Sequence, residues 1–308
     1  MLRCIQHKWV IGRNSGLGIF GPHAISKKTD CDMIATMFAT GSRVVFAAVL
    51  SGVCATAAQA ADVQELYDAL RLDGIADIIH QEGIEQIDVY AENYVGPRSA
   101  SQFAQQAQEI FARDDIQSTL MNGLETLDPD HMAAALDYFT SAQGALFAEL
   151  ETTARVAISD DEVEEQAKAM AAQARDSDRA RIALLERSIE VLEMVEFNIQ
   201  AAQESQYSFL IELAQAEVID FSQGEILALI AEDQGELTEM VQEWLLAFTY
   251  MAYSPVSDDE LQGYIDFQSS DPGQALNQAL FDAFRVMDVE QSQKMGRLVA
   301  SFMAAQEL

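Results

Sequence analysis

Ser257–Leu276 reads SDDELQGYIDFQSSDPGQAL, which contains the signals for a helix, a sharp corner and a second helix. Ser257 and Glu260 have the spacing of a capping box, in which each side chain bonds the backbone N–H of the other residue. A cap, a proline and a glycine follow over residues 270–273. On the helix between these signals one face is formed by Leu261, Tyr264, Ile265 and Gln268, with Phe267 beside it.

The same pattern occurs 129 positions earlier, over residues 127–147. Polar and glycine positions correspond: Asp130, Asp137, Ser141 and Gly144 match Asp259, Asp266, Ser270 and Gly273. Apolar positions correspond too: Met132, Leu136 and Tyr138 match Leu261, Ile265 and Phe267. The sequence therefore predicts an all-α protein, a helical bundle built from two related helical halves.

The predicted corners have a definite geometry. We expect Tyr138 or Phe267 to pack under the turn while Ser141 or Ser270 caps the second helix. Close approach of the two helices would explain the glycines. Gln268 is expected to face water.

The rest of the chain after residue 60 is also rich in helix formers, and valine and isoleucine recur at helical spacing rather than in alternation. We predict a first half at 61–159, a connector helix at 160–177 and a second half at 178–308. Ser159–Glu162 and Ser222–Glu225 have capping-box spacing. An apolar stripe predicts one long helix through residues 182–199.

The N-terminal residues are those of an export signal. Residues 37–60 have a short basic start, an apolar run and Ala58-Gln59-Ala60, typical of a signal peptide cleaved after Ala60. An uncleaved anchor is the alternative, although the run is short for a span of roughly 20 residues. Residues 1–36 have no periodicity and are predicted to be a non-native or disordered extension. All three cysteines lie before Ala60, so the remaining chain has no thiol chemistry.

The charge is strongly negative. The first 60 residues hold six basic and two acidic side chains, so the remainder carries 12 basic and 48 acidic ones, a net charge of −36. Such a surface repels nucleic acid and anionic headgroups. It is either a heavily solvated surface or one that attracts cations or a basic partner.

Five basic residues cluster around the predicted boundary between the halves: Lys168, Arg175, Arg179, Arg181 and Arg187. They could form an anion or partner site. The alternative, which we favour, is neutralisation by carboxylates at i+3 and i+4 or across the contact between halves.

Chemical motifs are scarce. The sequence has no nucleophile elbow, phosphate-binding glycine loop or paired-histidine motif. Asp73, Asp77 and His80 share one helix face and are weak metal-ligand candidates. A helical di-iron site would need Glu-x-x-His elements, which this chain lacks, so solvated polar residues are the favoured interpretation.

The corner residues resemble domain-of-unknown-function family 2059, whose members are exported, all-helical bacterial proteins. The family pattern is matched by Glu260, Leu261, Phe267, Ser270, Gly273 and Gln274. Gln268 replaces the usual Tyr, and Asp271 the usual Pro, with Pro272 one place later. The first copy matches only at Tyr138, Phe139, Ser141 and Gly144, and has His131-Met132 for Glu-Leu. The resemblance implies a fold and a compartment, and transfers no catalytic residues.

Three functions remain open from the sequence. The favoured one is an exported, periplasmic or secreted, non-catalytic module with a protein-interaction or scaffold role, without a cofactor, binding another envelope protein. The second is a weak binder of divalent cations or cationic ligands. The third is a hydrolase with a carboxylate pair in the groove between the halves. We expect no nucleic-acid partner and no stable membrane insertion after cleavage.

Overall fold

The computed structural model describes residues 50–306, with side chains from residue 60, and the regular elements in that range are all helical. The prediction of an all-α fold is confirmed. The predicted extension at 1–36 and most of the predicted signal peptide lie outside the described residues. The predicted cleavage point after Ala60 falls within the first described helix.

The described helices follow one another with short connections. A π-helical turn at Ala91–Val95 extends the second helix, and a 3-10 turn at Gln108–Phe111 follows the third. The helices are α1 (Leu50–Ala69), α2 (Leu72–Tyr90), α3 (Ala100–Ala107), α4 (Arg113–Leu124), α5 (Pro129–Thr140), α6 (Ala142–Ala157), α7 (Asp161–Ser177), α8 (Arg179–Val191), α9 (Met194–Gln215), α10 (Gln223–Glu232), α11 (Gln234–Tyr253), α12 (Asp258–Gln268) and α13 (Asp271–Gln306).

Helix starts follow the capping signals closely. In α12 the Glu260 amide donates to Ser257 Oγ at 3.3 Å, and the Ser257 amide donates to Glu260 Oε2 at 2.8 Å. The same reciprocal pair joins Ser222 and Glu225 at the start of α10. Each of these caps involves two residues only three positions apart, so their spacing in the sequence was enough to predict the helix start.

The capping box expected at Ser159 does not form. The Ser159 hydroxyl donates to the Val156 carbonyl at 2.7 Å, and Asp160 caps α7 instead. Asp160 Oδ1 accepts from the amides of Glu162 and Val163 at 2.8 and 3.2 Å. A carboxylate is also the better partner for a helix N-terminus, because it interacts with the positive end of the helix dipole.

The single long helix expected through residues 182–199 is two helices. Glu193 adopts a left-handed φ of 49°, which ends α8 and starts α9. Side chains of α13 bind the carbonyls released at this break. Gln274 Nε2 donates to Val191 O at 2.7 Å and Asn277 Nδ2 to Leu192 O at 3.0 Å.

Two hydrophobic clusters hold the helices together. The larger one joins α1 and α2 to α4–α9 and α11–α13. The smaller one joins the end of α2, α3, α10 and the C-terminal parts of α9 and α13. Residues from both predicted halves contribute to each cluster. The halves therefore share their cores within the described residues, and their relation by duplication stays a prediction.

Within residues 50–306, no helix combines the length and apolar character that a membrane crossing requires.

Candidate functional site

The two predicted corners have the same local geometry. The amides of Gly144 and Gly273 donate to Ser141 Oγ and Ser270 Oγ at 3.1 and 3.3 Å. A Cβ on Gly144 would lie 2.1 Å from the Tyr138 carbonyl oxygen. A Cβ on Gly273 would lie 2.1 Å from the equivalent oxygen of Phe267. Helix–corner–helix geometry thus explains both glycines, as the sequence predicted.

The corners contact each other through their equivalent aromatic residues. The rings of Tyr138 and Phe267 stack with centroids 3.8 Å apart and planes 7° from parallel. Gln143 Nε2 also donates to the Glu260 carbonyl at 3.1 Å. The corner residues named from the sequence, together with the fully buried Leu261, are therefore brought together in a structural role.

One expectation at the second corner is wrong. The predicted apolar face of α12 is confirmed, but Gln268 belongs to its interior, with only 4% exposure, while Phe267 is only partly buried. Ser188 Oγ donates to Gln268 Oε1 at 2.7 Å. A glutamine at a helical core position is buried because a polar side chain from another helix accommodates it.

A half-buried acid lies beside this corner. Glu151 Oε1, on α6, accepts hydrogen bonds from the hydroxyls of Tyr253 and Tyr264 at 2.6 and 2.8 Å. Burial raises the pKa of Glu151 above its usual value, and the two phenol hydrogen bonds oppose that shift only in part. Burial also raises the pKa of both tyrosines well above 10.

The sequence interpretation missed Glu151. The available signal was its spacing, because Glu151 lies three and four positions after Ala148 and Phe147 and three before Ala154, all buried on α6. Its tyrosine partners are more than 100 residues away in the chain. Without them, one glutamate among 48 acids has nothing to distinguish it.

A cavity of about 110 Å³ opens next to this cluster, lined by Glu151, Gln268 and mostly apolar side chains of α2, α5, α6, α9, α12 and α13. We call it the inner cavity. Among the described residues that line it, Glu151 is the single carboxylic acid. The carboxylate pair that a glycosidase-type hydrolase would need is not brought together there.

Two of the weak metal-ligand candidates, Asp73 and Asp77, pair with an arginine side chain. Arg113 Nε donates to Asp77 Oδ1 at 2.8 Å, and its Nη2 donates to Asp73. His80 Nδ1 lies 2.7 Å from the Phe111 carbonyl oxygen. In residues 50–306 no group of three or more His, Cys, Asp or Glu side chains has an arrangement that could hold a metal ion.

The boundary basic residues divide into two groups. Lys168 Nζ pairs with Glu164 and Glu165 at 2.8 and 3.1 Å, and Arg181, 7% exposed, pairs with Asp258 at 2.8 Å. Neutralisation at i−3, i−4 and across helices is confirmed for these two. Three others are exposed without an ion pair in the described residues: Arg175, Arg179 and Arg187.

A larger depression of about 720 Å³ lies between α7 and α11. Its apolar part includes Ala171, Met240 and Trp244. Exposed Glu236, Glu239 and Glu243 line it from α11, and the basic side chains of Lys168 and Arg175 line its α7 side. We call it the acidic groove. It combines an apolar surface with carboxylates spaced along one helix, which is suited to a segment that is apolar on one side and basic on the other.

Comparisons with models of protein families, with curated proteins and with solved structures find no match. The resemblance to family 2059 therefore stays a prediction from the corner residues.

Proposed function

We propose that the protein is an exported, non-catalytic binding protein of the cell envelope, and that it binds a basic, amphipathic segment of a partner protein in the acidic groove. The acidic groove is the observation that carries this proposal. Its volume of about 720 Å³ is within the range of roughly 300–1,000 Å³ found for binding pockets. The export signal at residues 37–60 supports the compartment.

Charge complementarity identifies the partner's chemistry. After the first 60 residues the chain has 48 acidic and 12 basic side chains, so its field attracts cations over a distance and favours association with a basic segment. Apolar contact with the half-buried side chain of Met240 would then add affinity that salt does not screen. A simple cation would use only the first of these two interactions.

A labelled amphipathic peptide of about 14 residues, with Lys on one face and Leu on the other, provides the test by fluorescence anisotropy. We expect the double variant Glu239→Gln/Glu243→Gln to weaken binding roughly fivefold, because two exposed charge contacts contribute about 0.5 kcal/mol each. The matched control is Glu186→Gln/Glu190→Gln, which removes two exposed charges at the same spacing on α8. It should change the affinity less than twofold.

Equal losses in the two double variants would show that only net charge matters, and would refute the groove as the site. Failure of the peptide to bind saturably at low salt would refute the proposal as a whole. A calorimetric calcium titration tests the cation-binding alternative. Stoichiometric calcium binding that is lost in Glu239→Gln/Glu243→Gln would favour that alternative over a protein partner.

A further inference from the structure

The inner cavity is separate from the acidic groove and has a different chemistry. Its volume is about 110 Å³, and its walls are mainly aliphatic and aromatic, including Leu72, Leu276 and Phe284. For comparison, an apolar protein cavity of about 150 Å³ can hold benzene. The inner cavity is smaller than that but partly open at its mouth, so it suits a molecule of about five or six non-hydrogen atoms.

Two polar side chains in the cavity wall have unused hydrogen-bonding capacity. Glu151 Oε1 accepts from two phenols, whereas Glu151 Oε2 makes no hydrogen bond within the described residues. Gln268 is 96% buried, and its Nε2 meets no acceptor at hydrogen-bond geometry within the described residues, although it lies beside the Tyr264 hydroxyl. An amide nitrogen carries two N–H donors and that hydroxyl can use one of them, so Gln268 keeps at least one unused donor inside the protein.

These two side chains belong to one polar patch. The Tyr264 hydroxyl donates to Glu151 at 2.8 Å, and the Gln268 amide is near enough to Tyr264 to lower its pKa. Ser188 holds the other end of the amide through Gln268 Oε1 at 2.7 Å. The patch is thus fixed in position by neighbouring side chains, which is a requirement for a preorganised binding site.

The protonation of Glu151 determines what the patch can bind. Burial raises the pKa of Glu151 and so favours the neutral acid. In the neutral acid, Oε1 accepts the two phenol hydrogen bonds, so the proton would be on Oε2. A neutral carboxylic acid held in an apolar site acts as a hydrogen-bond donor. Oε2–H and Nε2–H are then two donors in the same cavity, and both need an acceptor.

Water does not match this cavity well. Its volume would admit about three waters at roughly 30 Å³ each. A buried water is stable with two to four polar partners, whereas most of this wall is apolar. One water could bond Glu151 and Gln268, but the remaining space would be better filled by hydrocarbon.

We propose that the inner cavity binds a small uncharged organic molecule whose carbonyl oxygen accepts hydrogen bonds from Glu151 Oε2–H and Gln268 Nε2–H. A carbonyl oxygen has two lone pairs and so can accept from both donors. The hydrocarbon part of the molecule lies against Leu72, Leu276 and Phe284. Small ketones, lactones and amides form this ligand class. The inference is independent of the function proposed for the acidic groove.

Other titratable groups near Glu151 do not interfere over the relevant pH range. Tyr253 and Tyr264 donate to it from α11 and α12, and Tyr138 faces it from α5. All three have a pKa raised above 10. On the α2 side, the Glu82 carboxylate pairs with Arg155 at 2.6 Å.

Cyclopentanone is a suitable probe, and cyclopentane has a similar shape without the acceptor. Binding to the purified protein is followed by chemical-shift changes in two-dimensional amide NMR spectra. We expect saturable binding of one cyclopentanone, with cyclopentane at least tenfold weaker. Gln268→Met keeps the side-chain length but removes the donors, and should weaken cyclopentanone at least tenfold. Glu151→Gln replaces O–H by N–H as the donor and should stay within about threefold of the parent.

The pH dependence separates a specific role of Glu151 from simple cavity filling. In the parent, affinity should fall about tenfold per pH unit above the Glu151 pKa, because only the protonated fraction is competent. In Glu151→Gln it should not change with pH.

Three results would overturn the proposal. They are no saturable cyclopentanone binding at any pH, equal affinity for cyclopentane, or the same pH profile in parent and Glu151→Gln. If Gln268→Met does not fold by circular dichroism, the comparison of the two probes and the Glu151→Gln profile still decide the matter.

Discussion

Adding one methyl group at Gly273 should destabilise the protein, although alanine is the better helix former. The alanine Cβ would lie 2.1 Å from the Phe267 carbonyl oxygen, whereas such contacts are essentially never shorter than 3.0 Å. The two helices must therefore separate by about 0.9 Å at the corner. The carbonyl cannot easily turn away, because it accepts from Ser270 Oγ at 2.6 Å and from the Ser270 amide at 3.0 Å.

The expected magnitude follows from two opposing terms. Replacing glycine by alanine in a helix contributes about 0.5–1 kcal/mol in favour of folding. Forcing a methyl into a packed contact costs about 1–3 kcal/mol, and more when the obstacle is backbone. Because the obstacle is a backbone oxygen, we expect the upper part of this cost and a net loss of about 1–2.5 kcal/mol for Gly273→Ala. The melting temperature should fall by roughly 2–10 °C for a chain of this size.

Gly235→Ala is the matched control, because Gly235 also lies in the first turn of a helix and has nothing within 4 Å of its added Cβ. It should be neutral or stabilising by up to about 0.5 kcal/mol. Stability is measured by chemical denaturation followed by far-ultraviolet circular dichroism. If Gly273→Ala is as stable as the parent, the close approach is not a constraint and the explanation of the corner is wrong.

The remaining predictions concern Glu151, the second corner and export. Because the folded-state pKa of Glu151 is raised above 4.5, the folded protein binds this proton more tightly, and stability should fall as pH rises from about 4.5 through the raised value. Chemical denaturation should show that the difference in free energy of unfolding between the parent and Glu151→Gln changes with pH in that window, by at most about 1.4 kcal/mol per pH unit. A difference that stays constant would contradict burial of the carboxyl. Gln268→Ala should lower the free energy of unfolding by about 1–2 kcal/mol, since it leaves Ser188 Oγ unpaired. Phe267→Ala should lower it by about 1.5–3 kcal/mol, which is below the value for a fully buried ring. A cost under about 0.5 kcal/mol for Gln268→Ala would place that side chain in water. Intact-mass measurement of exported protein should give an N-terminus at Ala61, and retention of residues 37–60 would contradict cleavage.

Features that depend on neighbours in sequence could be predicted. The all-α class, the Ser257 and Ser222 capping boxes and the glycine corners each require only a few consecutive residues. The face of α12 was also predicted, because helical periodicity alone determines which side chains share a side. The prediction that Phe267 is more buried than Gln268 was wrong, because it gave the aromatic character of Phe267 more weight than the helical periodicity.

Features that depend on distant partners could not be predicted. The break at Glu193 is stabilised by Gln274 and Asn277, which act on carbonyls 83 and 85 residues away. Asp73 and Asp77 lie together as their spacing indicated, but nothing in that spacing identifies Arg113 as their partner. The cluster around Glu151 also depends on distant partners, because its hydrogen bonds come from tyrosines on two other helices.

The C-terminal helix α13 has a consequence for the order in which the protein can form. It comprises 36 residues, about 54 Å of helix. Its first part contributes Leu276 and Phe284 to the larger hydrophobic cluster, and its last part contributes Met295 and Phe302 to the smaller one.

Synthesis on the ribosome proceeds from the N-terminus, so neither cluster can be completed until these last residues have emerged. This delay fits the export that residues 37–60 predict. A nascent chain without α13 stays incompletely packed and remains available to a translocation machinery.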